Sequence, residues 1–305
     1  MNATLLDGEK LASKIRNELS KRVALLSNQG IVVGLGTILV GDDGPSERYV
    51  AMKHADCEEV GIKSYHRALN GSISQAQLEA VVDEFNNNSS IHSYLIQLPL
   101  PSHLDEARIL LRVHPDKDVD GLHPTNLGKL VMGADGPLPC TPAGILELLV
   151  DNQVPIEGKH VVIIGRGLTI GRPLSLLLAM KRPNCNAAVT VVHTGVADLA
   201  KYTKQADILI AAAGKADIVT KEMVKEGACV VGAGVSRDGK KLLSDVSESV
   251  AQVAQWVTPR LGGVGPMTRA MLLVNGVLAC ERYNGLSWVD NQYYNSQQDI
   301  YTANK

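Results

Sequence analysis

Short runs of apolar, mostly β-branched residues alternate with helical patterns along most of the chain. Such runs occupy 35–40, 62–66 and 94–97 in the first half, and 161–164, 189–192, 208–211, 229–231 and 256–258 in the second. Continuous apolar runs separated by helical patterns are typical of strands that are buried on both faces of a parallel sheet. The pattern therefore predicts an α/β fold with parallel sheets.

Helical patterns fill the intervals between these runs. The sequence predicts a short strand and an amphipathic helix at the N-terminus, and further helices at 46–60, 74–85, 104–111, 143–150 and 267–280. Ser46 is the expected N-cap of the helix at 46–60, and Gly61 is its expected C-terminal stop. The helix at 267–280 is long enough to return to the first half of the fold. The polar and aromatic tail that follows carries no pattern of regular structure.

A stiff connector, Pro137-Leu-Pro-Cys-Thr-Pro142, interrupts the pattern near the middle of the chain. Proline fixes the backbone and lacks an N–H donor, so such a segment is a plausible domain boundary. We predict a first domain at 1–140, joined by about 267–290, and a second domain at 141–266.

The second predicted domain opens with a strand that leads into a glycine-rich turn. Gly165, Gly167 and Gly171 form G-x-G-x-x-x-G, one residue longer than the common dinucleotide-binding fingerprint. Glycines let the backbone approach a pyrophosphate, and the following helix offers its N-terminal N–H groups. The order of strand, turn and helix favours a dinucleotide site, although a plain turn between a strand and a helix has the same order.

The strand at 189–192 indicates which dinucleotide binds. Sites for NAD usually place an acidic residue at the end of this strand, where it holds the ribose 2′-hydroxyl. Here the strand ends in His193-Thr194-Gly195, without an acid. Arg166 and Thr194 could bind a 2′-phosphate, so the pair favours NADP. The alternative for Arg166 is a solvated surface side chain.

Four polar or aromatic residues of the first half are candidates for a substrate site. Tyr49 and Lys53 lie four residues apart, on one face of the predicted helix. Gln97 ends a strand before the rigid Leu98-Pro-Leu-Pro101, and Asp120 follows a break in helical pattern. Ends of parallel strands are where α/β proteins build sites. Each residue also has a purely structural alternative, and for Asp116 and Asp118 we expect only the structural role of capping a turn.

Composition excludes several other classes of protein. The chain has 305 residues and a net charge of −2, which gives no electrostatic case for binding nucleic acid or an anionic membrane. Five scattered cysteines without C-x-x-C argue against a disulfide framework, and the histidines lack metal-ligand spacing. The N-terminus does not read as a signal peptide and no apolar stretch reaches membrane-spanning length, so we expect a cytoplasmic protein without a metal.

Six motifs occur in one order: YVAMK, IQLPLP, DKDVDGLHPTNLG, PCTPAGILELL, GRGLTIGRP and GGVGPMTRAML. In these motifs and their spacing, from about residue 4 to 280, the chain resembles the bifunctional methylenetetrahydrofolate dehydrogenase/methenyltetrahydrofolate cyclohydrolase family. The resemblance implies an N-terminal folate-binding catalytic domain, a C-terminal Rossmann-type NADP-binding domain and a C-terminal helix that returns to the first. It also implies a homodimer that oxidises 5,10-methylenetetrahydrofolate with NADP and hydrolyses the product to 10-formyltetrahydrofolate, in the one-carbon metabolism that serves purine biosynthesis.

The resemblance also implies a role for each site residue. Lys53 would be the central catalytic residue and would act as a base if its pKa were lowered, with Gln97 holding Lys53 and a water molecule. Tyr49 would stack on the folate, and Asp120 would accept hydrogen bonds from the pterin. Leu98, Pro99, Gly262, Gly263 and Pro266 would complete the folate wall. The implied cofactor residues are Gly165, Arg166, Gly167, Thr169, Gly171, His193, Thr194, Ala212, Gly214, Gly234 and Val235.

The sequence departs from the family pattern at three places. Gly167 stands where many members carry serine, Gly232 stands where an aspartate is frequent, and Arg260-Leu261 replace part of P-x-P-G. None of these changes removes Lys53, Gln97 or Asp120. Three alternatives remain open: a dehydrogenase with little cyclohydrolase activity, another two-domain enzyme such as a shikimate-dehydrogenase-like protein, and a non-catalytic NADP sensor.

Overall fold

The structure, a computed structural model, describes residues 3–239 and 241–286. Helices and strands alternate along these residues as predicted. In chain order they are β1 (Thr4–Leu5), α1 (Gly8–Asn28), β2 (Gly34–Val40), α2 (Gly44–Val60), β3 (Lys63–Leu69), α3 (Gln75–Asn87), β4 (Ser93–Ile96), α4 (Glu106–Arg112), α5 (Pro124–Met132), α6 (Cys140–Asp151), β5 (His160–Ile164), α7 (Gly171–Ala179), β6 (Ala188–Val192), α8 (Ala200–Thr203), β7 (Ile208–Ala211), β8 (Cys229–Gly232), β9 (Val235–Asp238), β10 (Lys241–Ser244), β11 (Trp256–Val257) and α9 (Val264–Tyr283).

The first half of the chain forms a three-stranded parallel sheet in the order β3-β2-β4. Strand β2 is the central strand and is buried at every position, as its unbroken apolar run predicts. Because all three strands run the same way, their carboxyl ends meet at one edge. Residues that follow β2 and β4 therefore lie close together there.

The second half forms a parallel sheet in the order β1-β11-β8-β7-β5-β6, together with the antiparallel hairpin β9-β10. Five of its strands, β5, β6, β7, β8 and β11, were predicted to within one residue at either end. Strand β1, from the N-terminus, joins this sheet beside β11, so the chain starts in the second sheet before α1 crosses to the first. The proposed boundary near residue 140 stays a prediction.

Helix α9 joins the two halves, as predicted for the C-terminal helix. It is apolar on almost all sides, and Met267, Leu273 and Val277 are fully buried. A helix that is hydrophobic all round must be covered on all sides. Helices α1 and α6 cover it, and Gly276 lies against Leu35 of β2, where a Cβ would be 3.1 Å from that side chain. The buried side chains of α9 therefore belong to one hydrophobic core that extends from the second sheet to the first.

Two local predictions were wrong. Asp43, not Ser46, caps α2, because its Oδ2 accepts hydrogen bonds from both N and Oγ of Ser46. The predicted connector ends early, because α6 already begins at Cys140. Pro142 lies in the first turn of that helix, where a backbone N–H has no partner to lose.

Four elements were not predicted: the helices α5 and α8 and the strands β9 and β10. The hairpin turn contains Asp238-Gly239, with Gly239 at a φ of +58°, and Asp-Gly is a recognisable hairpin signal. The helix predicted to end at Cys280 continues to Tyr283, and the tail from 287 onward lies outside the described residues. None of the described helices is long and apolar enough to cross a membrane.

Candidate active site

Lys53 and Gln97 meet at the carboxyl edge of the first sheet. Lys53 lies on α2, and its Nζ donates a hydrogen bond to Oε1 of Gln97 at 3.0 Å. Gln97 directly follows β4, where its backbone N donates to Ile38 O of β2. Its Nε2 donates to Leu98 O at 2.8 Å, next to the cis peptide bond between Leu98 and Pro99. These bonds fix which way the amide points, and its oxygen faces the lysine.

Asp118 and Asp120 lie two residues apart but have different surroundings. The Asp118 carboxylate accepts hydrogen bonds from Gly121 N, His123 N and Asn126 Nδ2, which confirms its predicted role in the turn. Among the described residues, no protein group donates a hydrogen bond to the carboxylate of Asp120. Burial raises the pKa of Asp120, while the charge of Lys53 lowers it and that of Asp118 raises it. Asp120 is thus a half-buried acceptor close to Lys53, and no described protein group donates to it.

Helix α9 supports the loop that carries Asp120. The Nδ2 of Asn275, a buried residue of α9, donates to Val119 O and Leu138 O, both at 2.9 Å. Gly121, at a φ of +72°, packs so closely that a Cβ there would lie 2.6 Å from the Leu138 carbonyl carbon. Sequence reasoning missed Asn275, although a single asparagine within the apolar run 270–279 is a visible signal.

Helix α2, which carries Lys53 and the 43% exposed Tyr49, is anchored on two other sides. On one side, Asp56 Oδ2 lies 3.0 Å from Arg269 Nε of α9 in a largely buried ion pair. On the other, the fully buried Thr37 hydroxyl of β2 lies 3.1 Å from His54 Nε2 and 2.9 Å from His66 Nδ1. Burial, His66 and Lys53 all lower the pKa of His54, so the neutral ring is the favoured form.

The predicted dinucleotide turn lies between β5 and α7 and is shaped for glycine at two of its three positions. Gly165 has a φ of +126°, and a Cβ there would lie 2.2 Å from Ala212 O. A Cβ on Gly171, at the start of α7, would lie 2.1 Å from Gly165 O. Gly167 has open space around it, so a serine side chain at this position would need no rearrangement. Together with the exposed Thr169, the turn leaves backbone open in front of the N-terminus of α7, as a pyrophosphate requires.

Arg166 and Thr194 extend from neighbouring strands at the same edge of the second sheet. Ile164 of β5 pairs with Val192 of β6, so each of the two residues lies two positions beyond a paired residue. Both are exposed, and Nδ1 of His193 accepts a hydrogen bond from Gly195 N beside them. A guanidinium and a hydroxyl are thus placed on adjacent strand ends, without a carboxylate at the end of β6.

The remaining predicted cofactor residues follow β7 and β8. Ala212 N donates to Ile164 O, and Gly234 N donates to Ala211 O, so both loops lie against the glycine turn. Val235, which is exposed, begins the hairpin. Sequence reasoning missed Asp245, a fully buried residue after β10 whose carboxylate accepts hydrogen bonds from Ala213 N, Gly214 N and Lys215 N.

Three residues of the predicted folate wall, Gly262, Gly263 and Pro266, lie at the start of α9. Gly263 O is so close to α1 that a Cβ on Gly8 would lie 1.8 Å from it, and Glu9 N donates to Gly262 O. The backbone of this loop, which leads to Pro266, is therefore fixed by α1. Arg260 and Leu261, which depart from the family pattern, are both exposed. Gly232 is the remaining departure from the family pattern, and its N donates a hydrogen bond to Thr258 Oγ1.

No group of three or more histidine, cysteine, aspartate or glutamate side chains within 3–239 and 241–286 is placed to hold a metal ion.

Comparison with known proteins identifies two family domains in the chain. Residues 6–120 match the catalytic domain of tetrahydrofolate dehydrogenase/cyclohydrolase, and residues 139–284 match its NAD(P)-binding domain. The bifunctional protein FolD of Syntrophotalea carbinolica is 54% identical over 281 residues, which are 92% of this chain and 97% of that protein.

Solved structures of similar proteins have the same fold. The bifunctional FolD methylenetetrahydrofolate dehydrogenase/cyclohydrolase of Campylobacter jejuni is 44% identical, with a TM-score of 0.89 over 92% of this chain and 99% of that one. The corresponding enzyme of Trypanosoma brucei, solved with NADP and an inhibitor, is 37% identical, with a TM-score of 0.87 over 92% of this chain and 98% of that one.

Proposed function

Because the chain belongs to the tetrahydrofolate dehydrogenase/cyclohydrolase family, we propose that it catalyses both reactions of the bifunctional members. It oxidises 5,10-methylenetetrahydrofolate with NADP+ to the methenyl cation, and it hydrolyses that cation to 10-formyltetrahydrofolate. The observation that supports this most strongly is the Lys53–Gln97 hydrogen bond beside Asp120, a half-buried carboxylate to which no described protein group donates.

Asp120 and Tyr49 bind the folate in this proposal. A pterin carries an amino group and ring N–H groups, which suit a carboxylate that has no donor of its own. Tyr49 lies one turn before Lys53 on α2 and is partly exposed, so its ring is free to stack on the flat substrate. Leu98, Pro99 and the Gly262–Gly263 backbone with Pro266 complete the wall.

NADP fits the second sheet. Gly165 and Gly171 let the turn pack against Ala212 O and against its own backbone, and the exposed residues 166–169 leave the N-terminus of α7 accessible to a pyrophosphate. Arg166 with Thr194 lies where a 2′-phosphate would extend. Bound there, NADP+ would supply the acceptor for a hydride from the substrate's methylene carbon. The protein's contribution to this step is mainly orientation, because the nitrogen lone pair of the folate drives the departure of the hydride.

Lys53 and Gln97 serve the hydrolysis. Water adds to the methenyl carbon, and Lys53 is the proposed acceptor of the proton that the water loses. The Gln97 amide oxygen holds Nζ in place, and the amide itself is held by Leu98 O. The carbinol that results then opens, as its carbon–nitrogen bond breaks and the nitrogen regains a proton.

Homodimerisation and a cytoplasmic location belong to the same proposal. Strand β6 is an edge strand of the six-stranded sheet, and its Val191 is 38% exposed, which supports an apolar contact with a second copy. Because the chain belongs to the tetrahydrofolate dehydrogenase/cyclohydrolase family, the alternative of a shikimate-dehydrogenase-like enzyme is dropped. A dehydrogenase with little cyclohydrolase activity and a non-catalytic sensor remain as outcomes of the test.

The test is an absorbance assay with 5,10-methylenetetrahydrofolate and NADP+ or NAD+, together with a separate assay of 5,10-methenyltetrahydrofolate hydrolysis without cofactor. The proposal expects turnover in both assays and a preference for NADP+. Oxidation without faster hydrolysis would favour the dehydrogenase alternative. NADP+ binding without turnover in either assay would favour the sensor.

A further inference from the structure

Asp245 is a buried carboxylate that the catalytic chemistry does not use. Its side chain lies between the loop after β7 and the loop after β8. Oδ2 accepts hydrogen bonds from Ala213 N at 2.6 Å and Gly214 N at 3.0 Å, and Oδ1 accepts one from Lys215 N at 2.8 Å. Three consecutive backbone amides thus converge on one side chain.

The backbone of Asp245 is held as tightly as its side chain. Its N donates to Gly234 O at 3.2 Å, and its O accepts from Val219 N at 3.0 Å. The carboxylate also depends on a glycine opposite, because a Cβ on Gly234 would lie 2.0 Å from Oδ2. Asp245 therefore joins two loops that come from different strands of the sheet.

These two loops carry four of the residues proposed to contact NADP: Ala212, Gly214, Gly234 and Val235. Ala212 lies against Gly165, whose missing side chain leaves room for the Ala212 carbonyl at the glycine turn. Any shift of the loop after β7 would therefore move the floor of the proposed pyrophosphate site. A carboxylate that receives three amide bonds can hold such a loop in one conformation.

We infer that Asp245 is a positioning residue for the dinucleotide: it fixes the loop 212–215 against Gly234 and so holds the NADP site open in a single shape. A consequence is that the amides of 213–215 are already occupied. The loop then presents carbonyls and small side chains to the cofactor, and the N–H groups that bind phosphate come from the turn at Gly165 and α7. The inference rests on the proposed function.

The test compares Asp245→Asn with Asp238→Asn in the full-length protein. Asp238 lies in the same hairpin, is exposed, and gives a control with the same chemical change away from the loop. Asparagine cannot accept a hydrogen bond through Nδ2, so at least one of these part-buried amides loses its acceptor. We expect Kd and KM for NADP+ to rise about tenfold or more, because an N–H donor loses its charged acceptor and the loop loses its fixed conformation. Hydrolysis of methenyltetrahydrofolate, measured without cofactor, should stay within about twofold of the unaltered protein on the same reasoning, and Asp238→Asn should change neither value.

An unchanged NADP+ affinity in Asp245→Asn would overturn the inference, and so would an equal loss of both activities, since that indicates a general structural role. Absence of both activities from the unaltered protein would instead overturn the proposed function. If Asp245→Asn does not fold, amide hydrogen exchange of the unaltered protein decides. Protection of the 213–215 amides before NADP+ is added supports the inference, and protection only after its addition contradicts it.

Discussion

Lys53 Nζ donates a hydrogen bond to Gln97 Oε1 at 3.0 Å, and this bond joins helix α2 to the end of strand β4. Gln97 cannot turn its amide without losing the bond from its Nε2 to Leu98 O. The lysine therefore faces an acceptor whose direction is set by the backbone of the LPLP segment.

Replacing Lys53 by methionine should separate the two activities. Loss of a general base typically lowers a rate by about 10²- to 10⁴-fold, so we expect a loss of this size in hydrolysis. Oxidation should fall less, because it depends mainly on orientation. Initial rates of both reactions check this, with Lys21→Met, an exposed lysine of α1, as the control. Equal losses in the two reactions would contradict a proton-accepting role.

Changing Asp120 to asparagine should raise Tm, whereas the same change at Asp118 should lower it. Burial raises the pKa of Asp120 above its ordinary value of about 3.9, so the ionised form destabilises the free protein at any pH above the raised pKa. This cost is relieved as the pH falls from the raised pKa towards the unfolded value. Asp120→Asn removes the charge and should raise Tm at neutral pH, whereas KM for folate should rise about tenfold.

Asp118→Asn is the matched control for that experiment. Its carboxylate accepts three hydrogen bonds, and asparagine cannot accept all of them. The free energy of unfolding should therefore fall by about 1–3 kcal/mol, and Tm should fall with it. Thermal unfolding of both variants without ligand is the measurement. A lower Tm in Asp120→Asn would show that this carboxylate has a stabilising partner after all.

Arg166→Ala should weaken the discrimination between the two dinucleotides. A charge-assisted hydrogen bond to phosphate corresponds to about ten- to a hundredfold in affinity, so KM for NADP+ should rise by this factor while KM for NAD+ stays the same. Arg172→Ala, at an exposed arginine of α7, is the control. A parallel change of both KM values would mean that Arg166 contacts a part shared by both cofactors.

Substitutions at Gly165 and Gly167 of the turn should differ in their effects on stability and on NADP+ binding. Alanine at Gly165 would place Cβ 2.2 Å from Ala212 O at a φ of +126°, so the free energy of unfolding should fall by about 1–3 kcal/mol and NADP+ binding should weaken. Gly167→Ser enters open space and should change stability by no more than about 0.5 kcal/mol. Chemical denaturation and NADP+ titration measure both effects. Comparable losses in the two variants would contradict the geometry of the turn.

The hydrophobic pattern was sufficient to predict most strands of the two parallel sheets, because buried parallel strands are unbroken apolar runs in the sequence. Ile208–Ala211 was predicted to the residue, and Lys53, Gln97 and Asp120 were selected from strand ends and from the family motifs. Caps were harder, since Asp43 and Ser46 both suit an N-cap and only the geometry shows that Ser46 donates to Asp43.

Asp245 and Asn275 could not be assigned roles from local pattern, because their partners lie far away in the chain. Asp245 accepts hydrogen bonds from amides 30 to 32 residues earlier in the chain. Asn275 donates hydrogen bonds to the carbonyls of Val119 and Leu138, which precede α6. A pattern over neighbouring residues contains no information about such contacts. Only the assembled fold brings each side chain to its loop.

The pairing of β1 with β11 has a consequence for the order of events during synthesis. Thr4 and Leu5 are made about 250 residues before their hydrogen-bonding partners, Trp256 and Val257. The first sheet can form from segments made before residue 97, whereas one edge of the second must wait until residue 257 has been made. Contacts between such distant segments form late and slowly, so a nascent chain stalled before residue 256 would hold its N-terminal strand unpaired.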